Sequence, residues 1–156
     1  MRAVASITLV LTSLFAAAFA APASGKARHD ATERAIVAAV NDQRSANGVA
    51  ALSRSKGLAR AADYHSWEML EANYFSHASR DGGGFDDRVR RFADHRALGE
   101  TLARVGSCAG NADAVVDMWM DSAPHRAILL ASSFDHIGVG KRSGDGGCVV
   151  TADFGS

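Results

Sequence analysis

The sequence lacks a charge excess of either sign. Seventeen Lys and Arg stand against 17 Asp and Glu, for a formal net charge of 0. That balance excludes a basic field that would draw in nucleic acid or anionic lipid. It also lacks any apolar run of the roughly 20 residues that a bilayer span requires. No heptad seam supplies a coiled-coil interface, so a monomer is the expected state. No repeat at a solenoid period is present. No Gly-Lys-Ser/Thr follows the glycines at 82–84, which leaves them without the context of a phosphate cradle. At 156 residues the chain is too short for two comfortable domains. Its 47% hydrophobic and 22% charged residues suit one packed unit.

What is present begins with the first twenty residues. Arg2 is followed by an apolar stretch from Ile7 to Phe19, and Ala18-Phe19-Ala20 then precedes Ala21. A basic start, an apolar core and an A-x-A site read as a cleavable secretory signal peptide over 1–20. An uncleaved anchor is the alternative, and the apolar stretch is short for one. No Cys adjoins the cleavage site, so lipid attachment through that residue has no support. Residues 21–29 read as a flexible linker and 30–155 as the folded domain, with no membrane span after cleavage. Loss of Arg2 leaves a mature net charge of about −1. The expected location is secreted or periplasmic.

Export places Cys108 and Cys148, the only two cysteines, in a disulfide-permissive compartment. A catalytic thiol is the sharper reading, but neither cysteine has an adjacent base in sequence. A bridge closing a loop of about 40 residues would contribute roughly 3–4 kcal/mol in the chain-entropy model.

Periodicity places the elements. Asp30-Ala31-Thr32-Glu33 resembles a capping box ahead of Ile36, Val37 and Val40, with a helix ending at Asn41 to Arg44 and a turn at Ala46-Asn47-Gly48. Leu52 to Asn73 is the longest helical stretch, with Leu58, Ala61, Ala62, His65, Met69 and Ala72 at three- and four-residue steps. His65 on or beside that stripe reads as a structural histidine, and Trp67 and Met69 read as core. Phe85, Val89 and Phe92 mark a short helix, whose Arg88, Arg90 and Arg91 are balanced by Asp86, Asp87 and Asp94 and read as a solvated face. Ala112 to Met120 and His125 to Leu130 read as helices, the second with Pro124 near its start. Ile137 to Val139 and Cys148 to Phe154 read as two strands of a hairpin turning at 143–147. Helices with a small antiparallel sheet give an α+β domain.

Three short segments carry candidate chemistry: Phe75-Ser76-His77, Gly99-Glu100-Thr101, and Trp119 to His125. With Asn41-x-x-Arg44 before them and Ile137-Gly138-Val139-Gly140 after, their order resembles the CAP superfamily, which includes the cysteine-rich secretory proteins, antigen 5 and pathogenesis-related class 1 proteins. The spacing is most similar to its bacterial secreted, SCP-like branch. The resemblance covers about 30–154 and implies an α-β-α sandwich around a largely antiparallel sheet. It also implies a cavity holding two histidines and two acids. Matched motif by motif, His77 and His125 are the histidines and Glu100 the acid; Ser122 stands where the second acid is expected and Thr101 where Asn is usual. Asp121 lies one residue away, turned by about 100° on a helix, and does not replace that acid.

Two neutral imidazoles and a carboxylate at His77, Glu100 and His125 would make a three-ligand Zn²⁺ set with one open position. No H-E-x-x-H spacing accompanies them. Without metal, the carboxylate would hold the imidazoles by hydrogen bonds, as a general acid/base pair or as a structural pin. Ser76 beside His77, and Ser122 three residues before His125, also draw a Ser–His pair on paper, although Ser122 suits a helix cap equally. The function expected is a secreted module that binds a small ligand, lipid or extracellular partner and requires no cofactor. The alternative is a divalent-metal-dependent hydrolase using His77, Glu100 and His125. An exported domain of purely structural role is a third reading.

Overall fold

A computed structural model describes residues 31–156, so the expected leader, linker and the Asp30 end of the capping box lie outside the described residues. The elements in chain order are α1 (Ala31–Ala46), β1 (Ser53–Arg54), α2 (Lys56–Glu71), α3 (Phe85–Arg90), β2 (Leu98–Val105), α4 (Ala112–Asp121), α5 (Ala123–Leu129), β3 (His136–Gly144) and β4 (Gly147–Gly155). The strands lie in the order β1-β3-β4-β2. β4 pairs antiparallel with β2 and β3, while the two-residue β1 pairs parallel with β3.

Strand alternation divides β4 between two layers. Cys148, Val150, Ala152 and Phe154 join Ile36, Val37 and Val40 of α1 and Val115, Val116 and Trp119 of α4 in the main core. Val149 faces the other way and meets Leu102 of β2 and Met69 of α2. Helices therefore cover both faces of the sheet, and the fold is the expected α-β-α sandwich. Trp119 is fully buried and donates its Nε1–H to Leu102 O at 2.9 Å, so its one polar atom is satisfied inside the core.

α2 lies unusually close to the sheet. A side chain at Gly138 or Gly140 of β3 would run into the α2 backbone at Leu58–Ala59 or Ala62–Asp63. With no Cβ in the way, Ser66 Oγ reaches Gly140 O at 3.1 Å and Thr151 Oγ1 at 2.9 Å. The disulfide Cys108–Cys148 ties the segment after β2 to the start of β4, across a sequence separation of 40.

Several element boundaries differ from the sequence expectation. α1 does not stop at Asn41 to Arg44 but continues to Ala46, because both polar side chains find partners beyond the helix. Asn41 exchanges two hydrogen bonds with the Leu52 backbone, at 2.8 and 3.1 Å. Arg44, 1% exposed, donates to the carbonyls of Ala50, Leu129, Ala131 and Phe134. The long helical stretch is shorter than its periodicity: Ser55 caps α2 by accepting from Leu58 N, and Ser53–Arg54 pair as a strand instead. Trp67 is not core; it is 44% exposed and packs against Tyr64 on the outer side of α2. Met69 is buried as expected.

Candidate functional site

Glu100 belongs to β2, with its side chain on the α2 side of the sheet and 1% exposed. A lone carboxylate there would carry a desolvation cost of several kcal/mol. The compensating charge is Arg88 from α3. Its Nη2 pairs with Glu100 Oε2, and its Nη1 donates to Ser79 Oγ at 3.0 Å and to His77 O at 3.2 Å. Arg88 is fully buried, which overturns the expectation of a solvated face. Its position carried the signal: Phe85, Arg88, Val89 and Phe92 follow the i, i+3, i+4, i+7 rule, so Arg88 lies on the apolar stripe.

The other carboxylate oxygen, Oε1, accepts from His77 Nδ1 at 2.8 Å. A carboxylate only accepts, so this contact places a His77 proton on Nδ1. His77 is 53% exposed, against 1% for its partner. The pair thus runs from a buried guanidinium, through a buried carboxylate, to an imidazole at the surface.

The segment bearing His77 is held at several points. Glu68 Oε2 accepts from Tyr74 Oη at 2.8 Å, and Glu68 Oε1 accepts from Arg80 N at 3.1 Å. His65 Nε2 lies 2.8 Å from Ser76 O, which makes His65 the structural histidine expected of it. Burial, then the nearby Arg88 charge, lowers the His65 pKa. Burial, then the hydrogen bond to Glu68 and its charge, raises that of Tyr74. A groove of about 410 Å³ runs along this segment, lined by Tyr74, Ser76, Ser79 and Arg80 among others.

His125 sits half-buried in the first turn of α5, after Pro124. Its pKa is lowered first by burial and then by the charge of His77, which puts the two imidazoles within electrostatic reach. Ser122 occupies the N-cap position of α5, yet its side chain makes no capping hydrogen bond. Ser76 Oγ accepts from Ala78 N at 3.1 Å. Among the described residues neither serine hydroxyl is hydrogen-bonded to an imidazole, so the Ser–His pair drawn from the sequence has no geometric counterpart.

One residue absent from the sequence reasoning stands beside Glu100. Asp153 of β4 is its cross-strand partner and is fully buried, with no donor from any conventional group to either oxygen. Burial, then the adjacent Glu100 charge, raises the Asp153 pKa well above the usual carboxylate value. An acid between Ala152 and Phe154 in an otherwise apolar strand was the available signal.

The three-ligand metal set does not fit this arrangement. Both Glu100 oxygens are taken, by Arg88 and by the His77 ring. Among the described residues no group of three or more His, Cys, Asp and Glu side chains is placed to hold a metal ion. No helix among them is long and apolar enough to cross a membrane.

Residues 37–154 match the cysteine-rich secretory protein family, CAP. The chain is 36% identical over 110 residues to the uncharacterized membrane protein YlbC of Bacillus subtilis, covering 70% of this chain and 31% of that protein. It is 32% identical over 111 residues to the uncharacterized protein YkwD of the same organism, covering 70% and 42%. It thus spans less than half the length of either relative. An extracellular SCP-domain protein of Bacillus anthracis superposes with a TM-score of 0.70 at 30% identity, over 80% of this chain and 40% of that one.

Proposed function

Given that this chain belongs to the cysteine-rich secretory protein family, we propose that it works as an exported binding module and not as an enzyme. The surfaces that would meet the small ligand, lipid or extracellular partner are the His77–His125 imidazoles and, along the same segment, the groove lined by Tyr74, Ser76, Ser79 and Arg80. The observation carrying this reading is the double engagement of Glu100. An acid held by a buried guanidinium on one oxygen and an imidazole on the other serves poorly as a general base. What it does instead is orient the half-exposed His77 ring by holding its Nδ1. Neither Ser76 nor Ser122 has a base to activate it. Burial and the charge of His77 lower the His125 pKa and so favour its neutral, accepting form. The groove of about 410 Å³ falls within the size range of small-ligand sites.

The hydrolase alternative needs Glu100 as a third metal ligand or as a base, and the Arg88 contact opposes both roles. Zinc binding is left to the two imidazoles alone, with Glu100 behind His77 as an orienting group. Export through residues 1–20 and a monomeric state remain part of the proposal.

The test is turnover. The exported protein is assayed on peptide, ester and glycan substrates with zinc present, beside a His77→Ala/His125→Ala variant. The expected result is no hydrolysis above that variant. Turnover that the double substitution abolishes would overturn the reading.

A further inference from the structure

Two further histidines meet away from this site. His136 opens β3 and pairs across the ladder with Gly155 of β4. His95 lies between α3 and β2, and its ring rests on Gly155: a Cβ there would come within 2.6 Å of His95 Cγ and 2.9 Å of Cδ2 and Nδ1. Only glycine leaves room for the imidazole to lie across the strand. The result is two rings with centroids 5.4 Å apart and planes at 47°.

Neighbouring backbone contacts hold His95 in place. Arg96 N donates to Ser156 O at 2.7 Å, Ser156 N to Ala97 O at 3.2 Å, and Arg90 Nη1 to His95 O at 3.3 Å. Asp135 Oδ1 lies 2.5 Å from His136 Nδ1. Because the carboxylate accepts, Nδ1 carries the proton and the Nε2 lone pair is free. A carboxylate behind an imidazole whose other nitrogen is open is the usual support of a ligating histidine. His136 is 39% exposed, so an ion and its waters can reach it. Two imidazoles bonded to one ion at about 2.0–2.1 Å have ring centres on the order of 5 Å apart, close to the spacing found here.

We propose that His95 and His136 form a two-imidazole site for a divalent transition-metal ion, oriented by Asp135 and made possible by the bare Cα of Gly155. Water completes the coordination shell, since among the described residues no third protein ligand stands by. Imidazole donors suit Cu²⁺, Ni²⁺ and Zn²⁺, and the order of divalent affinities makes Cu²⁺ the tightest of the three. This site shares no residue with the His77–His125 pair and does not depend on the function proposed for it.

Copper(II) sulfate is the probe, titrated into the full oxidised chain and followed by calorimetry and by the nitrogen hyperfine pattern in electron paramagnetic resonance. A His77→Ala/His125→Ala protein should keep a copper equivalent with two nitrogen ligands. Adding His95→Gln or His136→Gln should weaken that site at least tenfold and leave one nitrogen. Asp135→Asn should weaken it about tenfold while keeping both nitrogens, as loss of a supporting carboxylate does. Circular dichroism checks folding, and with both rings at the surface the glutamine variants should melt with the parent. Copper binding unchanged by His95→Gln and His136→Gln in folded protein would overturn the proposal, as would loss of all of it in the His77→Ala/His125→Ala protein.

Discussion

Replacing Arg88 with Met tests the electrostatic centre of the molecule most directly. The change keeps much of the aliphatic stem that fills the space beside Val89 and Phe85 but deletes the guanidinium. Glu100 would then be left 1% exposed, with only the His77 bond to compensate its charge. The donors to Ser79 Oγ and His77 O would also disappear. Removing one partner of a buried pair costs about 3–5 kcal/mol. For a chain of this length that corresponds to a fall in Tm of roughly 6–20 °C. Urea denaturation with the disulfide intact measures it, with the midpoint falling at constant slope. The second arm is Arg88→Met/Glu100→Gln. Because the double variant no longer buries a lone charge, its loss should be smaller than the sum of the single losses by at least about 1 kcal/mol. Strict additivity, or an Arg88→Met cost below about 1 kcal/mol, would refute the idea that the two charges stabilise each other.

Asp153 gives a pH dependence. An acid whose folded pKa is raised contributes fully at low pH, and its contribution falls as pH rises past the unfolded value of 3.8, by about 1.4 kcal/mol per unit until the folded value is reached. Asp153→Asn should therefore gain stability relative to the parent between pH 4 and pH 7, measured by urea midpoints at both; an equal difference at the two pH values would contradict it. Replacing Cys108 and Cys148 by Ser should cost roughly 3–4 kcal/mol, read from the same titrations. Non-reduced intact mass should lie about 2 Da below the dithiol value, from the two hydrogens lost on oxidation. Gly140→Ala places a methyl against the backbone of α2 at Ala62–Asp63 and should cost about 2 kcal/mol or more. A thermal melt within a degree of the parent would show that α2 can move away freely.

Much of the architecture was legible because its causes are local. The apolar steps of Leu58, Ala61, Ala62, His65 and Met69 identify a helix face, since all five side chains are buried on one side of α2. The change of period after Ile137 identifies strands, and the glycine-rich 143–147 stretch identifies their turn, which narrows in the fold to Asp145 and Gly146. Wherever the signal needed a partner from elsewhere, it was misread. Trp67 is apolar and helical, but nothing in its neighbourhood says that its side of α2 faces solvent. Arg88 lay on an apolar stripe and was assigned to water because its charge was balanced by sequence neighbours; its real counterion is 12 residues away, on a strand.

By itself the sequence singled out the candidate residues, because motif order and residue type are properties of the chain: His77, Glu100 and His125 were named that way. What each of them does was decided by the tertiary structure. The β2–β4 register sets Asp153 opposite Glu100, and the docking of α3 against α2 drives Arg88 into the same buried space. In that space a charge must be neutralised where it stands, because water is not there to do it. Glu100 is therefore bound to Arg88 and to the His77 ring before any ion or substrate arrives, and a set of residues able on paper to hold a metal becomes a brace for one exposed imidazole.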